Sequence, residues 1–282
     1  MKRKALCIGI NKFKNYASAA LQGCVNDANM MSSILMDYYG FQADEITVLT
    51  DEQATKQNIM NHLTQMVEGA KQGQYNQLVF SLSSHGTQVV DLNGDEEDGL
   101  DEAFCPHDLA QKGNAWDPNH IIIDAELYNL FTQLPKEVQL EAFMDTCHSG
   151  TGLKSIDFLL TRRPRFMPPP SYEHFHKAER ALPYAKNKIQ KNEKLNNHIL
   201  WSGCKANQTS ADALINNNWH GAFTYYFNQE IRANNDDLNR EQLLRKIRTQ
   251  LRNNHYSQVP QLDENATTRN KKINKKETVE NI

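Results

Sequence analysis

Cysteine is scarce in this chain. Five thiols, Cys7, Cys24, Cys105, Cys147 and Cys204, are spread over 282 residues. The odd number and the lack of any Cys-x-x-Cys spacing argue against a disulfide framework and against the common zinc sites. Thin usage in a chain this long fits a reducing, cytoplasmic compartment, with most of the thiols serving as small core residues. Also lacking is any run of about 18 apolar residues, the length of a membrane-spanning helix. The opening "MKRKALCIGI" is basic and then apolar, but the apolar part is too short for a signal peptide and reads as a first core strand. An excess of charge of one sign is missing as well. The net charge of −3 implies no strong pull toward nucleic acid or anionic lipid. No glycine-rich phosphate loop follows the first strand, which removes the nucleotide-binding α/β class. Internal repeats are absent. These gaps lead us to expect a monomer with neither nucleic-acid nor membrane partners.

What is present is enough for a sizeable core: 39% hydrophobic residues, 9% of the chain aromatic. "KALCIGIN" is a continuous apolar run, as a strand buried on both faces would be. "CVNDANMMSSILMDYY" has helical periodicity and is closed by Gly40. "EITVLT", "NQLVFSLSSHG", "VQLEAFMDTCHSG" and "HILWSGC" read as further strands. Helical patterns in "DEQATKQNIMNHLTQMVEGAK", with Thr55 or Asp51 near its start, and "DAELYNLFTQL" lie among them. Two more helices, "GAFTYYFNQEIRAN" and "NREQLLRKIRTQLRNN", and a short extended "SQVPQLDEN" follow. Alternation of this kind predicts an α/β sandwich with a mainly parallel sheet. Between residues 154 and 197, "TRRPRFMPPPSYEHF" and "KNKIQKNEKLNN" read as a linker or a mobile surface loop. The tail from about Thr267 has no apolar period and reads as disordered.

Two strands stop in residues that carry chemistry: "FSLSSHG" at His85 and "FMDTCHSG" at Cys147. Ligands in open parallel sheets bind beyond the carboxyl ends of the strands, so both residues are expected on one edge. A thiol is mostly protonated at neutral pH and needs a neighbouring imidazole to become a nucleophile. A lone strand-end histidine or cysteine is more often a capping or packing residue. The pair, each after an apolar run and before small residues, favours a catalytic dyad. His148 competes as the base, but adjacent residues on an extended segment point opposite ways.

At these residues the chain resembles a metacaspase or its bacterial relative, the orthocaspase, within the caspase-type cysteine peptidases. "SLSSHGTQ" resembles the family's histidine motif, with Ser84 where glycine is usual, and "MDTCHSG" its cysteine motif. "LQGCVNDANMM" resembles the acidic segment after the first strand. "SGCKANQTSADA" with "GAFTYYF" resembles the small-subunit region. The similarity runs from about Lys4 to Asn265. It implies a caspase-like fold: a three-layer α/β sandwich in one domain over residues 1–265. A large-subunit-like part (1–153), a linker (154–197) and a small-subunit-like part (198–265) would precede a basic tail (266–282). By the resemblance Cys147 is the nucleophile and His85 the general base of an endopeptidase. The N–H groups of Gly86 and Cys147 would serve as oxyanion donors. Protein or peptide substrates with Arg or Lys at the cut position would meet Asp27 and Asp145, with Ser83 a third pocket residue. Asp145, two before Cys147, shares its face on an extended chain. Without the resemblance, Asp27 reads equally well as a charge favoured by a helix N-terminus. Lys154, Arg162, Arg163, Arg165, Lys177 and Arg180 make self-cleavage in the linker chemically available. The alternative is a catalytically silent scaffold of the same fold that binds partners.

The stretch "DLNGDEEDGLDE" is dense in carboxylates. Asp91, Asn93, Asp95 and Glu102 have the spacing of EF-hand ligands, but Glu96 takes the place of the required glycine and no flanking helices are read. Nothing in the chemistry requires a cofactor. The resemblance points to calcium as an activator, with Asp101 and Asp124 as ligands. Lys154 falls on a further family ligand position that it cannot fill. A solvated acidic hairpin is the other reading of this stretch.

Overall fold

The computed structural model describes residues 2–90, 100–147, 161–171, 197–234 and 237–264. The strands, in chain order, are β1 (Arg3–Gly9), β2 (Ile46–Thr50), β3 (Gln77–Ser83), β4 (Gly86–Val90), β5 (Leu100–Phe104), β6 (Gln111–Lys112), β7 (Ala115–Trp116), β8 (Ile122–Ile123), β9 (Gln139–Asp145), β10 (Arg162–Pro164), β11 (His198–Ser202), β12 (Ala211–Ile215), β13 (Asn218–Gly221) and β14 (Gln261–Glu264). The helices are α1 (Cys24–Tyr38), α2 (Lys56–Lys71), α3 (Asp124–Phe131), α4 (Ala222–Ala233) and α5 (Arg240–Asn253).

The central sheet has the order β14-β11-β9-β3-β1-β2. Five strands are parallel, and β14 closes one edge antiparallel. The continuous apolar runs of the sequence follow from this placement, because a strand covered on both faces has no solvated side. Alternate residues divide between two cores. Leu6, Ile8, Leu78, Phe80, Leu82, Leu140 and Met144 pack with Ile59, Leu63 and Val67 of α2 and with Leu127 and Phe131 of α3. Ala5, Cys7, Val79, Phe143, Ile199 and Trp201 pack with α1, α4 and α5 through Met31, Ile34, Phe223, Phe227, Leu243 and Ile247. The result is the expected three-layer α/β sandwich. Thr55 caps α2 by accepting from the Asn58 N–H at 3.3 Å. Gly40, just past α1, has φ of +72°, the left-handed residue that ends many helices. Among the described residues no helix is long and apolar enough to cross a membrane.

From β1 the chain steps to β2 on one side and then returns to β3 on the other. The connections leaving β1 and β3 therefore diverge and open a crevice at the carboxyl edge, where a doubly wound sheet binds its ligands. Two small sheets stand over this edge: β4-β5-β8 and β10-β12-β13. The second corrects the linker or surface-loop reading for residues 161–171; the rest of 154–196 lies outside the described residues. Residues 162–164 of that region pair antiparallel with β12, and Arg165 is fully buried.

One polar cluster crosses the α1/α4/α5 core. Glu141 of β9, 1% exposed, accepts from Trp201 Nε1 at 2.8 Å, Tyr39 Oη at 3.3 Å, and Arg240 Nε and Nη2 at 3.0 and 2.8 Å. It joins three elements through one carboxylate. Removing one partner of such a pair strands the other charge in the interior. Glu141→Ala is expected to cost about 3–5 kcal/mol in urea denaturation. Arg245→Ala, which breaks an exposed pair with Glu241 one turn away on α5, should cost about 0.5 kcal/mol or less.

Candidate active site

The β3–β9 register aligns Ser83 with Asp145. His85 and Cys147 each lie two residues further on, beyond the same edge of neighbouring strands. The two residues that the sequence analysis singled out thus leave the same sheet edge from adjacent strands. His85 is 5% exposed and packs against the Phe13 ring, with centroids 5.1 Å apart. Its Nε2 is 2.8 Å from the Ala19 carbonyl. A carbonyl only accepts, so Nε2 carries the hydrogen and Nδ1 is left as the basic nitrogen. That Nδ1 is buried and has no hydrogen-bond partner among the described residues. Burial pushes the imidazole pKa down to about 4, against the opposing pull of the Ala19 carbonyl. The ring is therefore neutral at physiological pH, with the Nδ1 lone pair unprotonated. Ala19 is a site residue that no sequence cue marked, since it acts through a backbone oxygen.

Cys147 is buried, and its thiol donates to the Gln208 carbonyl at 3.0 Å. The Cys204 thiol reaches the same carbonyl at 3.4 Å. Its pKa is pushed well above the ordinary thiol value, chiefly by a hydrogen bond with Cys147 and then by burial. Cys7, Cys24 and Cys105 are also fully buried, and desolvation raises each thiol's pKa. They are core residues, as expected. Ser84, in the place of the usual glycine, needs no left-handed backbone; its hydroxyl donates to the Cys105 carbonyl at 2.6 Å. His148, the competing base, lies outside the described residues.

Beside these two residues is an acidic cluster, and a guanidinium from the chain itself sits within it. Arg165 Nη2 donates to Asp27 Oδ2 at 2.6 Å and to Asp212 Oδ1 at 3.1 Å. Its Nη1 is 3.3 Å from Asp145 Oδ2 and donates to the Asp145 carbonyl at 3.0 Å. Burial alone would lower the Arg165 pKa, but the carboxylates, Asp145 foremost, hold it well above the usual value. Asp27 also shifts upward, but for the opposite reason. Desolvation raises its pKa despite the adjoining guanidinium.

Each carboxylate has a further anchor. Asp145 takes the Thr224 N–H and hydroxyl at 3.1 and 2.8 Å and the Ser210 hydroxyl at 2.6 Å. Thr224 lies in the first turn of α4, so Asp145 satisfies an unpaired helix donor and faces the positive end of the helix. Asp27 accepts from the Gly221 N–H, and Asp212 from the Gln22 and Gly23 N–H groups. Gly221 keeps the pocket open, because a Cβ there would run into Asp145 Oδ2 and the Arg165 guanidinium. Ser83 is buried beside Asp145 across the register, while the side chains that meet the guanidinium are the three aspartates. Asp212 and Gly221 were not anticipated. The one available signal for Asp212 was an acidic residue at a fully buried position of the short strand "ADALI".

The backbone around Arg165 is held in extended form. Its N–H donates to the Ser210 carbonyl at 3.0 Å, and its own carbonyl accepts from the Gly86 N–H at 2.9 Å. The Met167 N–H donates to the Gly86 carbonyl at 2.9 Å. Gly86, one of the two expected oxyanion donors, therefore already holds a peptide carbonyl. Cys147, the other, follows the end of β9 by two residues.

The metal candidates lie apart. Asp101 on β5 and Asp124 at the start of α3 are 6% and 3% exposed, on neighbouring strand ends where Ala103 pairs with Ile123. Among the described residues no group of three metal-ligating side chains occurs. Asp91, Asn93, Asp95 and Lys154 lie outside the described residues.

Comparison with solved structures defines the fold class. Caspase-1 from Spodoptera frugiperda aligns with a TM-score of 0.60 over 93% of this chain and 85% of that one, at 13% identity. A crystallised protein from Geobacter sulfurreducens gives a TM-score of 0.69 over 96% and 97% of the two chains, at 23% identity. The fold is caspase-like. The family follows from sequence. The metacaspase, peptidase C14 domain matches residues 3–156. Metacaspase-1 of Schizosaccharomyces pombe is 34% identical over 300 residues, covering 93% of this chain and 67% of that protein. Metacaspase-1 of Pyricularia oryzae is 34% identical over 295 residues, covering 93% and 71%. The chain belongs to the metacaspase family and is a cysteine-type peptidase.

The histidine carries a pH prediction. The folded ring protonates near pH 4, against 6.5 for the ordinary ring. The unfolded state binds the extra proton between those values, so stability falls as pH is lowered through that window. The loss amounts to up to about 3 kcal/mol. Urea denaturation across this range should show that slope in the wild type and a flatter one in His85→Asn. Equal slopes would mean that the ring titrates as if it were in water.

Proposed function

We propose that this metacaspase is an endopeptidase that cuts after arginine or lysine, by a Cys147–His85 dyad, and that it cuts its own linker between Arg165 and Phe166. One observation carries the reading. A fully buried guanidinium sits among Asp27, Asp145 and Asp212, while the carbonyl of the same residue rests on the Gly86 N–H. That is how a substrate would lie before its bond is broken.

In the proposed reaction His85 Nδ1 takes the Cys147 proton. The thiolate attacks the Arg165 carbonyl carbon, a C–S bond forms, and the carbonyl π pair moves onto the oxygen. Gly86 N–H, with the Cys147 N–H as the expected second donor, stabilises that oxyanion. As it collapses, protonated His85 gives its proton to the leaving Phe166 nitrogen and the C–N bond breaks. The thioester remains. His85 then takes a proton from water, hydroxide adds to the thioester carbonyl, and the C–S bond breaks; protonated His85 returns its proton to the departing Cys147 thiolate, and the freed carboxylic acid ionises to solvent. The acidic pocket selects the residue to be cut, because a guanidinium gains charge-assisted hydrogen bonds there that a carboxylate would not.

Asp101 and Asp124 are two buried hard-oxygen donors that fit a calcium ion drawing its remaining ligands from elsewhere. Such an ion would neutralise the two carboxylates and take no part in bond cleavage.

Intact-mass analysis of the purified protein tests the self-cleavage. Wild type and Arg165→Lys should yield fragments ending at residue 165, whereas Arg165→Gln and Cys147→Ala should not. In trans, a fluorogenic peptide ending in Arg should be hydrolysed and one ending in Asp should not. Cys147→Ala should lower the Arg rate by at least about a thousandfold. Running the assay with calcium and with chelator reads the ion's contribution. Cleavage after Asp, or activity that survives Cys147→Ala, would refute the assignment.

A further inference from the structure

The helix α5 ends in a particular way. Asn254 is its C-cap, and His255 follows with φ of +60°. The His255 N–H returns to the Arg252 carbonyl at 3.1 Å, and the Tyr256 N–H to the Leu251 carbonyl at 2.9 Å. This double closure satisfies the carbonyls inside the last turn. Two carbonyls just beyond the helix, of Asn254 and His255, lie at the negative end of the helix dipole. Both are occupied by one side chain. Arg162 donates Nη1 to the His255 carbonyl at 2.8 Å and Nη2 to the Asn254 carbonyl at 2.9 Å. Its guanidinium carbon lies 3.9 Å from the centroid of the Tyr256 ring, which packs edge-on against Tyr226. The planar fork matches two neighbouring carbonyls, and its face stacks on the aromatic ring. An ammonium is a point charge and does not match both at once.

Arg162 is three residues before Arg165, in the same extended segment. The pairing of that segment with β12, Arg162 opposite Ala213 and Arg163 opposite Asp212, fixes the distance between the two arginines. A substrate that replaced the linker along β12 would carry its own residue to the end of α5.

We propose that the Asn254 and His255 carbonyls and the Tyr256 ring form a second guanidinium subsite, which selects substrates with arginine three residues before the cleaved residue. The proposal rests on the reading of the chain as an arginine- or lysine-directed endopeptidase. It adds a recognition element built from neutral oxygens and an aromatic face, on a helix separate from the acidic pocket. The enzyme then reads a pattern of two arginines, both present in its own linker as "RRPR".

Four fluorogenic peptides of sequence X-Arg-Pro-Arg, with X as Arg, Lys, Leu or Ala, test the subsite. The wild type should show kcat/KM for X as Arg about tenfold above X as Ala, with Lys between the two. Tyr256→Leu should reduce the Arg-to-Ala ratio to about twofold, and Tyr256→Phe, which keeps the ring, should preserve it. A second arm reads the same contact within the chain. Arg162→Ala should slow self-cleavage after Arg165 about tenfold, and Arg162→Lys should slow it less. Hydrolysis of all four peptides at similar rates, or a preference for Leu, overturns the subsite and leaves the endopeptidase reading standing. If no peptide is cut and no fragment forms, the endopeptidase reading fails and the subsite falls with it.

Discussion

Three carboxylates removed from water need a cation, and the chain supplies one of its own. The Asp27, Asp145 and Asp212 side chains come from a helix, the central sheet and a small outer sheet. A lone buried carboxylate would protonate or draw in water. Here backbone N–H groups, two hydroxyls and the Arg165 guanidinium share the charge. The rest of the site follows from this contact. Seating the guanidinium carries the Arg165 carbonyl to Gly86, and with it the backbone on either side into the gap between β12 and β4. The small sheets over the crevice are assembled around that strand. Gly221 is required because the pocket wall leaves no room for a side chain.

The same arrangement connects recognition to chemistry. Asp145 closes β9, two residues before Cys147, so the carboxylate that meets Arg165 and the proposed nucleophile are carried by one strand and its immediate continuation. His85 leaves the neighbouring strand, and the Ala19 carbonyl determines which of its nitrogens is basic. In the proposed mechanism, specificity and nucleophile placement both depend on one register between β3 and β9. That coupling gives a physical reason for two polar residues to end two otherwise apolar strands.

Much of this was legible in the sequence. Buried parallel strands have a strong signature, and "KALCIGI", "QLVFSLS" and "QLEAFMD" carry it. Strand ends that turn abruptly polar pointed to His85 and Cys147, and the family resemblance, supported by the two-residue spacing, pointed to Asp145. Other features left no such trace. Asp212 became a pocket residue only through the pairing of β12 with β10, a tertiary event remote in sequence. Ala19 acts through a carbonyl, which every residue has. The stretch around Arg165 is rich in proline and arginine, the composition of a solvated loop, and it was read as one. Composition cannot indicate that a pocket of matching charge awaits the arginine elsewhere in the fold. The α5 terminus was hidden for the same reason, since the residues that bind Arg162 do so with backbone oxygens and one tyrosine.

The central claim is that Arg165 occupies the acidic pocket of the uncut chain. Chemical modification of arginine by phenylglyoxal, located by peptide mapping, tests it most directly. Folded Cys147→Ala protein keeps the bond intact and is the form to use. The account predicts that Arg165 stays unmodified until denaturant is added, while exposed Arg252 reacts at once. Modification of Arg165 as fast as Arg252 in the folded protein would contradict it.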